Sequence, residues 1–269
     1  MEEKLRLAGD PRTPLEVLKD LAGDGDWAVR QTVAWNKSAP GGVLERLAGD
    51  KEPCVRKEVA RNRNTPVRTL ERLSRDPSCR VRQEIACNPN TPREALGRLA
   101  GDENWEVREQ VAKNQSTPGF TLERLSQDPN WWVRQAVTRN PNTPAETLEQ
   151  LAREEDALMQ QGVAQNPSTP VKALEQLARN SDLRVRGEVA QNPSTPTQIL
   201  KQLARDKHWW VRREVARNPS TPMHVLVGMY RDPDTEVRVA VSQRLIRQLE
   251  ELPEDPALWL FLWEMAGDE

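Results

Sequence analysis

The chain has 269 residues, room for one large domain or two ordinary ones, and its 39 basic and 41 acidic side chains leave it nearly neutral. A whole-molecule field that would draw it onto nucleic acid or an acidic membrane is therefore absent, so polyanion binding would have to come from local clustering. Nine Trp against one Tyr and two Phe is a skew that one small helical core does not require.

The chain opens on MEEKLRLAGD, which lacks a long apolar run and carries acidic residues early, unlike a signal or transit peptide. Residues 1–12 are expected to form a short N-terminal cap, and a cytoplasmic location follows. Cys54, Cys79 and Cys87 are odd in number and stand at no metal-ligand spacing, which suits free thiols in a reducing compartment.

From Thr13 onward the sequence repeats. Thr-Pro recurs at Thr13, Thr65, Thr91, Thr117, Thr143, Thr169, Thr195 and Thr221, and Ala39-Pro40 fills the gap, so nine units of 26 residues follow one another over residues 13–246 with no insertion. With Thr as position 1, Leu stands at position 6 throughout, from Leu18 to Leu226. Leu or Met holds position 9, Val or Met position 17, and Val or Ile position 21. Spacings of three and four mark two short amphipathic helices, A and B. The expected start of helix A is Thr as N-cap with Pro first, strengthened by Glu in Thr91-Pro92-Arg93-Glu94, over positions 2 to 11. Asp at position 12 is expected to cap helix B, and Asn at position 24, usually before Pro, to stop it. Such short pairs cannot bury their Leu and Val alone, so stability has to come from stacking neighbours into one core.

The unit TPxxxLxxLAxDxxWxVRxxVAxNPS resembles the leucine-rich repeat variant family and, more distantly, the HEAT class. That resemblance implies an all-α, right-handed superhelical solenoid in which an α-helix is paired with a second short helix, sometimes of 3₁₀ type, and no strands. Some members carry a Cys-rich iron-sulfur segment before the repeats; no cysteine precedes Cys54 here, so no cofactor is implied. Nor does the family carry a common catalytic activity.

Beyond the repeats, residues 247–269 hold seven acidic residues and one basic, with Asp255-Pro256 before ALWLFLWEMA. This segment is expected to be a C-terminal cap helix, and its apolar run is half the length needed to span a bilayer.

The most regular charge is Arg at position 18: Arg30, Arg56, Arg82, Arg108, Arg134, Arg186, Arg212 and Arg238, with Gln160 the exception. Such a row could grip phosphates or carboxylates. Its register with Asp at position 12 favours a structural ladder, as does Asn at position 24, from Asn36 to Asn218, whose amide can satisfy backbone groups. Trp is less regular. Trp27, Trp105, Trp131 and Trp209 share position 15, expected to pack on a neighbouring helix. Trp132 and Trp210 follow at position 16, about 100° further round, expected to face solvent or a partner. That face would run Trp132, Leu158, Arg184, Trp210. Arg213 and Arg217 beside Trp209, Trp210 and His208 give repeat 8 a local basic and aromatic cluster suited to single-stranded nucleic acid. With only His208 and His224, and no phosphate-loop or HExxH motif, catalysis and metal binding find no support. The sequence reads as a non-catalytic scaffold for a protein or peptide partner, with a nucleic-acid binder using repeats 5 to 8 as the alternative. No small-molecule substrate is evident.

Overall fold

The computed structural model describes residues 1–250, with side chains through Arg247. Of the cap expected over residues 247–269, residues 251–269 lie outside the described residues. Helices are the only regular elements among the described residues. The fold is an all-α repeat solenoid. Its contacts group into two units that part between Ser168 and Thr169, where repeat 6 ends and repeat 7 begins. The first unit holds residues 1–12 and six repeats, the second starts at repeat 7, and each is described by itself.

Every helix A has seven residues at positions 3 to 9, as in Leu15–Leu21 and Gly119–Leu125. Helix B has nine residues at positions 15 to 23, as in Trp27–Trp35 and Trp131–Arg139, and in repeat 9 it extends over Thr235–Glu250. Neither helix could stand alone at this length. Leu122 at position 6 and Val137 at position 21 are fully buried, as are their counterparts in every repeat, so each pair encloses the same four apolar side chains. Within each unit the B helices pack directly on one another, while neighbouring A helices touch far less.

The capping chemistry differs from expectation. Thr is not the N-cap of helix A: that place falls to Pro at position 2, and no side chain caps the helix, even in the Thr91-Pro92-Arg93-Glu94 repeat. Instead the Thr hydroxyl donates backward to the carbonyl at position 21 of the preceding helix B, as Thr65 Oγ1 does to Val59 O at 2.6 Å. It thus satisfies one of the carbonyls that a helix end leaves without a partner. Position 14, not position 12, caps helix B: the side chains of Asp26, Asn104, Asn130, Asp156, Asp182 and His208 accept N–H groups of its first turn. Asp at position 12 braces the turn before it, Asp50 Oδ1 accepting the Glu52 N–H at 2.9 Å. Asn at position 24 is the C-cap.

Helix Glu2–Gly9 takes the place of a helix B before repeat 1. It packs on Trp27–Trp35, its Leu7 carbonyl receives the Thr13 hydroxyl, and Lys4 meets Asp24 at 2.6 Å across the same twenty-residue step used by the arginines below.

Candidate binding surface

The repeated polar residues face their neighbours. Arg30 Nε and Nη2 donate to the two carboxylate oxygens of Asp50 in the next repeat at 2.6 and 3.0 Å, while Nη1 donates to the carbonyls of Asp24 and Gly25 in its own. Arg56 with Asp76, Arg82 with Asp102, Arg108 with Asp128, Arg186 with Asp206 and Arg212 with Asp232 repeat the fork. Both partners are largely buried in each pair. The Asp hydrogen bond holds the guanidinium of Arg30 and of Arg212 above its ordinary pKa against the pull of burial. Burial works to raise the Asp50 carboxyl, but the Arg30 fork and the Glu52 N–H together hold it below the usual carboxylate range, and Asp206 and Asp232 are held down in the same way. A guanidinium with most of its five donors so committed, and itself largely buried, is poorly placed to grip a phosphate. Arg134 meets Glu154 at a looser 3.6 Å. Arg238 donates to the carbonyls of Asp232 and Pro233.

The Asn row works on backbone alone. Asn88 Nδ2 donates to the carbonyls of Ala60 and Asn62 in the preceding repeat, and its Oδ1 accepts the Asn90 N–H. One side chain therefore ties two successive turns together, as the equivalent residues do from Asn36 to Asn166 and at Asn218.

On the outer surface of the B helices the two Trp pairs part company. In the first unit Trp132 is 54% exposed, and Trp131 is half-buried, its Nε1 donating to Asp156 Oδ2 at 3.1 Å with the rings edge to face at 4.7 Å. Leu158, one helix further at the same position 16, is 49% exposed. In the second unit the order is reversed and the expectation for repeat 8 fails. Trp210 is half-buried against Gly187, and Trp209 is the exposed member, stacked on His208 with the Arg213 guanidinium 5.1 Å from its ring. Gly187 is the physical reason: with no Cβ it leaves on helix Leu183–Gln191 the space that the Trp210 ring fills. The corresponding residue before Trp132 is Glu109, whose side chain leaves no such space. Trp27 and Trp105 are also exposed, so position 15 is not a general packing site. Arg184 and Arg217 are exposed, while Arg213 is bonded to Glu214 at 2.7 Å. Gly187, a glycine inside a helix, was the sequence signal for the reversal.

Two residues that sequence reasoning passed over are Trp35 and Glu58. They line one pocket of the first unit with Lys37, Arg61 and Arg63. Trp35 stands where other repeats have Arg61, Cys87 or Lys113, and that break in the pattern was its signal.

Cys54 and Cys79 are half-buried, and burial, with Glu84 nearby, pushes the exposed-edge thiol of Cys87 up, away from a reactive thiolate. Among the described residues no cluster of three His, Cys, Asp or Glu could hold a metal, and no helix is long and apolar enough to cross a membrane.

The leucine rich repeat variant family model matches residues 27–52, 54–78, 105–130 and 131–156. These are leucine-rich repeat variant repeats. A solved structure described as a leucine-rich repeat variant with a novel repetitive protein structural motif is 26% identical, with a TM-score of 0.57 over 83% of this chain and 88% of that one. An engineered protein is 19% identical, with a TM-score of 0.41 over 93% of this chain and 94% of its own. No curated protein matches the chain.

Proposed function

We propose that this leucine-rich repeat variant chain is a non-catalytic, cytoplasmic scaffold that binds a protein or peptide on the outer surface of its B helices. The observation that carries the reading is the pair Trp132 and Leu158: two large apolar side chains, each about half exposed, at the same position on consecutive B helices that pack on one another. Exposed Trp beside an aliphatic residue supplies the anchors on which binding energy concentrates. About half of each side chain is left uncovered by the repeats' own packing. Three free cysteines support the cytoplasmic location.

In the second unit Arg184, Arg217 and the Trp209–Arg213 stack form a more polar surface, with Trp210 as its half-buried support. It is the basis of the nucleic-acid alternative, which the engagement of Arg212 with Asp232 and of Arg213 with Glu214 weakens.

The test is a peptide-library selection on the full chain, followed by binding of the selected peptides to Trp132→Ala/Leu158→Ala. Loss of binding with unchanged helicity supports the reading, and undiminished binding overturns it. A random single-stranded DNA titrated over a salt series separates the alternative, because phosphate contacts make affinity fall steeply with salt.

A further inference from the structure

We propose that repeats 1 and 2 form a binding site for a guanine nucleotide unit, free or within a single strand. In it Trp35 is the stacking face, Glu58 reads the base edge, and Arg61, Arg63 and Lys37 hold the phosphate.

The site is a pocket of about 600 Å³ in the first unit, within the size range of small-ligand sites. Among its lining residues is a carboxylate oxygen without a partner. Glu58 is 8% exposed, and its Oε2 is buried with no hydrogen bond. A buried carboxylate oxygen left in that state is costly, and a ligand that supplies an N–H removes the cost. Repeat 8 shows what this register accepts when it is satisfied. Glu214, the equivalent residue, takes Arg213 Nε at 3.0 Å and Nη2 at 2.7 Å, and Arg217 stands 3.7 Å away. In repeat 2 the neighbouring Lys57 is instead drawn toward Glu84 at 3.8 Å, and Arg61 does not close on Glu58. Glu58 thus lines the pocket with one carboxylate oxygen buried and unbonded.

The other walls decide which donor can enter. Trp35 is 54% exposed, a flat apolar face where the neighbouring repeat has Arg61. Three cations, Lys37, Arg61 and Arg63, surround one anion. A cationic ligand would be repelled by this rim, so the donor that meets Glu58 has to be a neutral N–H on a molecule that is anionic elsewhere. Such a molecule must also present a flat ring to the indole. A guanine nucleotide meets all three demands: N1–H and the N2 amino group lie side by side to bond a carboxylate, the purine stacks on Trp, and the phosphate meets the basic rim. Adenine would turn its N1 acceptor toward the carboxylate, and cytosine its N3. The site therefore discriminates by base as well as by charge. Because it uses neither Trp132 nor Leu158, it stands or falls apart from the peptide-binding reading.

The experiment titrates the full chain with guanosine monophosphate, adenosine monophosphate, and the RNA pentamers UUGUU and UUAUU, read by calorimetry. Expected is binding of the guanine ligand in each pair at least about tenfold tighter than its adenine counterpart. Glu58→Gln and Trp35→Ala should each weaken it about tenfold or more, and Arg61→Ala should flatten the salt dependence. Monophosphate binding equal to the pentamer's marks a free-nucleotide site, and binding of the pentamer alone marks a single-strand site; both support the proposal. Equal affinity for guanine and adenine, a Glu58→Gln chain that binds as well as the parent, or binding only of an acidic peptide carrying arginine overturns it. Circular dichroism checks the fold of each variant, and Trp35→Phe, which keeps a ring, should retain most of the affinity should Trp35→Ala lose helicity.

Discussion

The indole of Trp210 occupies the space that a side chain on Gly187 would need, so a glycine inside one B helix sets the orientation of a tryptophan on the next. Gly187→Ala is expected to push the ring outward. The helix itself gains about 1 kcal/mol from the exchange, while the overpacked contact costs about 1 to 3 kcal/mol. The clear readout is spectroscopic: in Gly187→Ala, acrylamide should quench a larger share of the tryptophan emission, and the difference should vanish in Trp210→Ala. An unchanged quenching profile would mean that the ring is not held by Gly187.

A second glycine serves the same purpose in the first unit. Gly162 on helix B of repeat 6 faces the side chain of Thr138, the one residue at position 22 in repeats 1 to 8 that is not Ala. A Cβ at 162 would collide with Thr138 Oγ1, which donates to the Gln135 carbonyl at 2.7 Å. Gly162→Ala should destabilise the chain by about 1 to 3 kcal/mol despite the better helix former. Adding Thr138→Ala should return that loss and expose the helix gain. A thermal double-mutant cycle measures the coupling, and additive effects would refute it.

These two pairs show where the sequence was legible and where it was not. The period, the buried Leu at position 6 and the apolar residues at positions 17 (Val or Met) and 21 (Val or Ile) could be read because each recurs in every unit and obeys one helical spacing. The Thr-Pro start was misread because the same hydroxyl can cap the helix ahead or the carbonyl behind. Only packing decided for Val59 and its equivalents. Trp210 was misread because the deciding residue, Gly187, lies in the preceding repeat, beyond any local helical pattern. Likewise the arginine ladder is linked between repeats: Arg134 answers to Glu154, and Arg186 to Asp206. In the same twenty-residue register Gln160 is followed by Asn180, so both charged types give way to amides together.

The ladder also predicts the response to acid. Asp50, Asp206 and Asp232 are held below the ordinary carboxylate pKa in the folded chain. A depressed pKa gives stability that is present above the unfolded value of about 3.9 and is lost as pH falls through the folded value. The arginines, shifted further upward from an already high value, add no pH dependence in the acid range. Asp50→Asn keeps an acceptor for the Glu52 N–H but removes the charge facing Arg30, whose side chain is only 9% exposed. At pH 7 it should cost about 3 to 5 kcal/mol, seen as early local unfolding around repeats 1 and 2. Below about pH 4 the gap between the variant and the parent should begin to close, and it narrows further as pH falls toward the depressed Asp50 value. A gap that stays constant down to pH 2 would show that the pair's charge is not what stabilises it.

Glu154 offers the opposite experiment. It is the one carboxylate at position 12 that is not Asp, and its extra methylene sets it 3.6 Å from Arg134 Nε, whereas the Asp rungs close to 2.6 or 2.7 Å. Arg134 still donates to the carbonyls of Asp128 and Pro129, so half of its role is intact and only the link to the next repeat is slack. Shortening the side chain should restore the fork, since the backbone of repeat 6 keeps the same 26-residue register as its neighbours. Glu154→Asp is expected to raise stability by about 1 kcal/mol, the order of a partly buried charge-assisted hydrogen bond. Hydrogen exchange reads it locally. In the parent, amides of residues 154–165 should exchange faster than those in repeat 4, where Arg108 and Asp128 close normally. In Glu154→Asp they should slow, while Glu154→Asp/Arg134→Lys, which lacks the planar fork, should exchange like the parent.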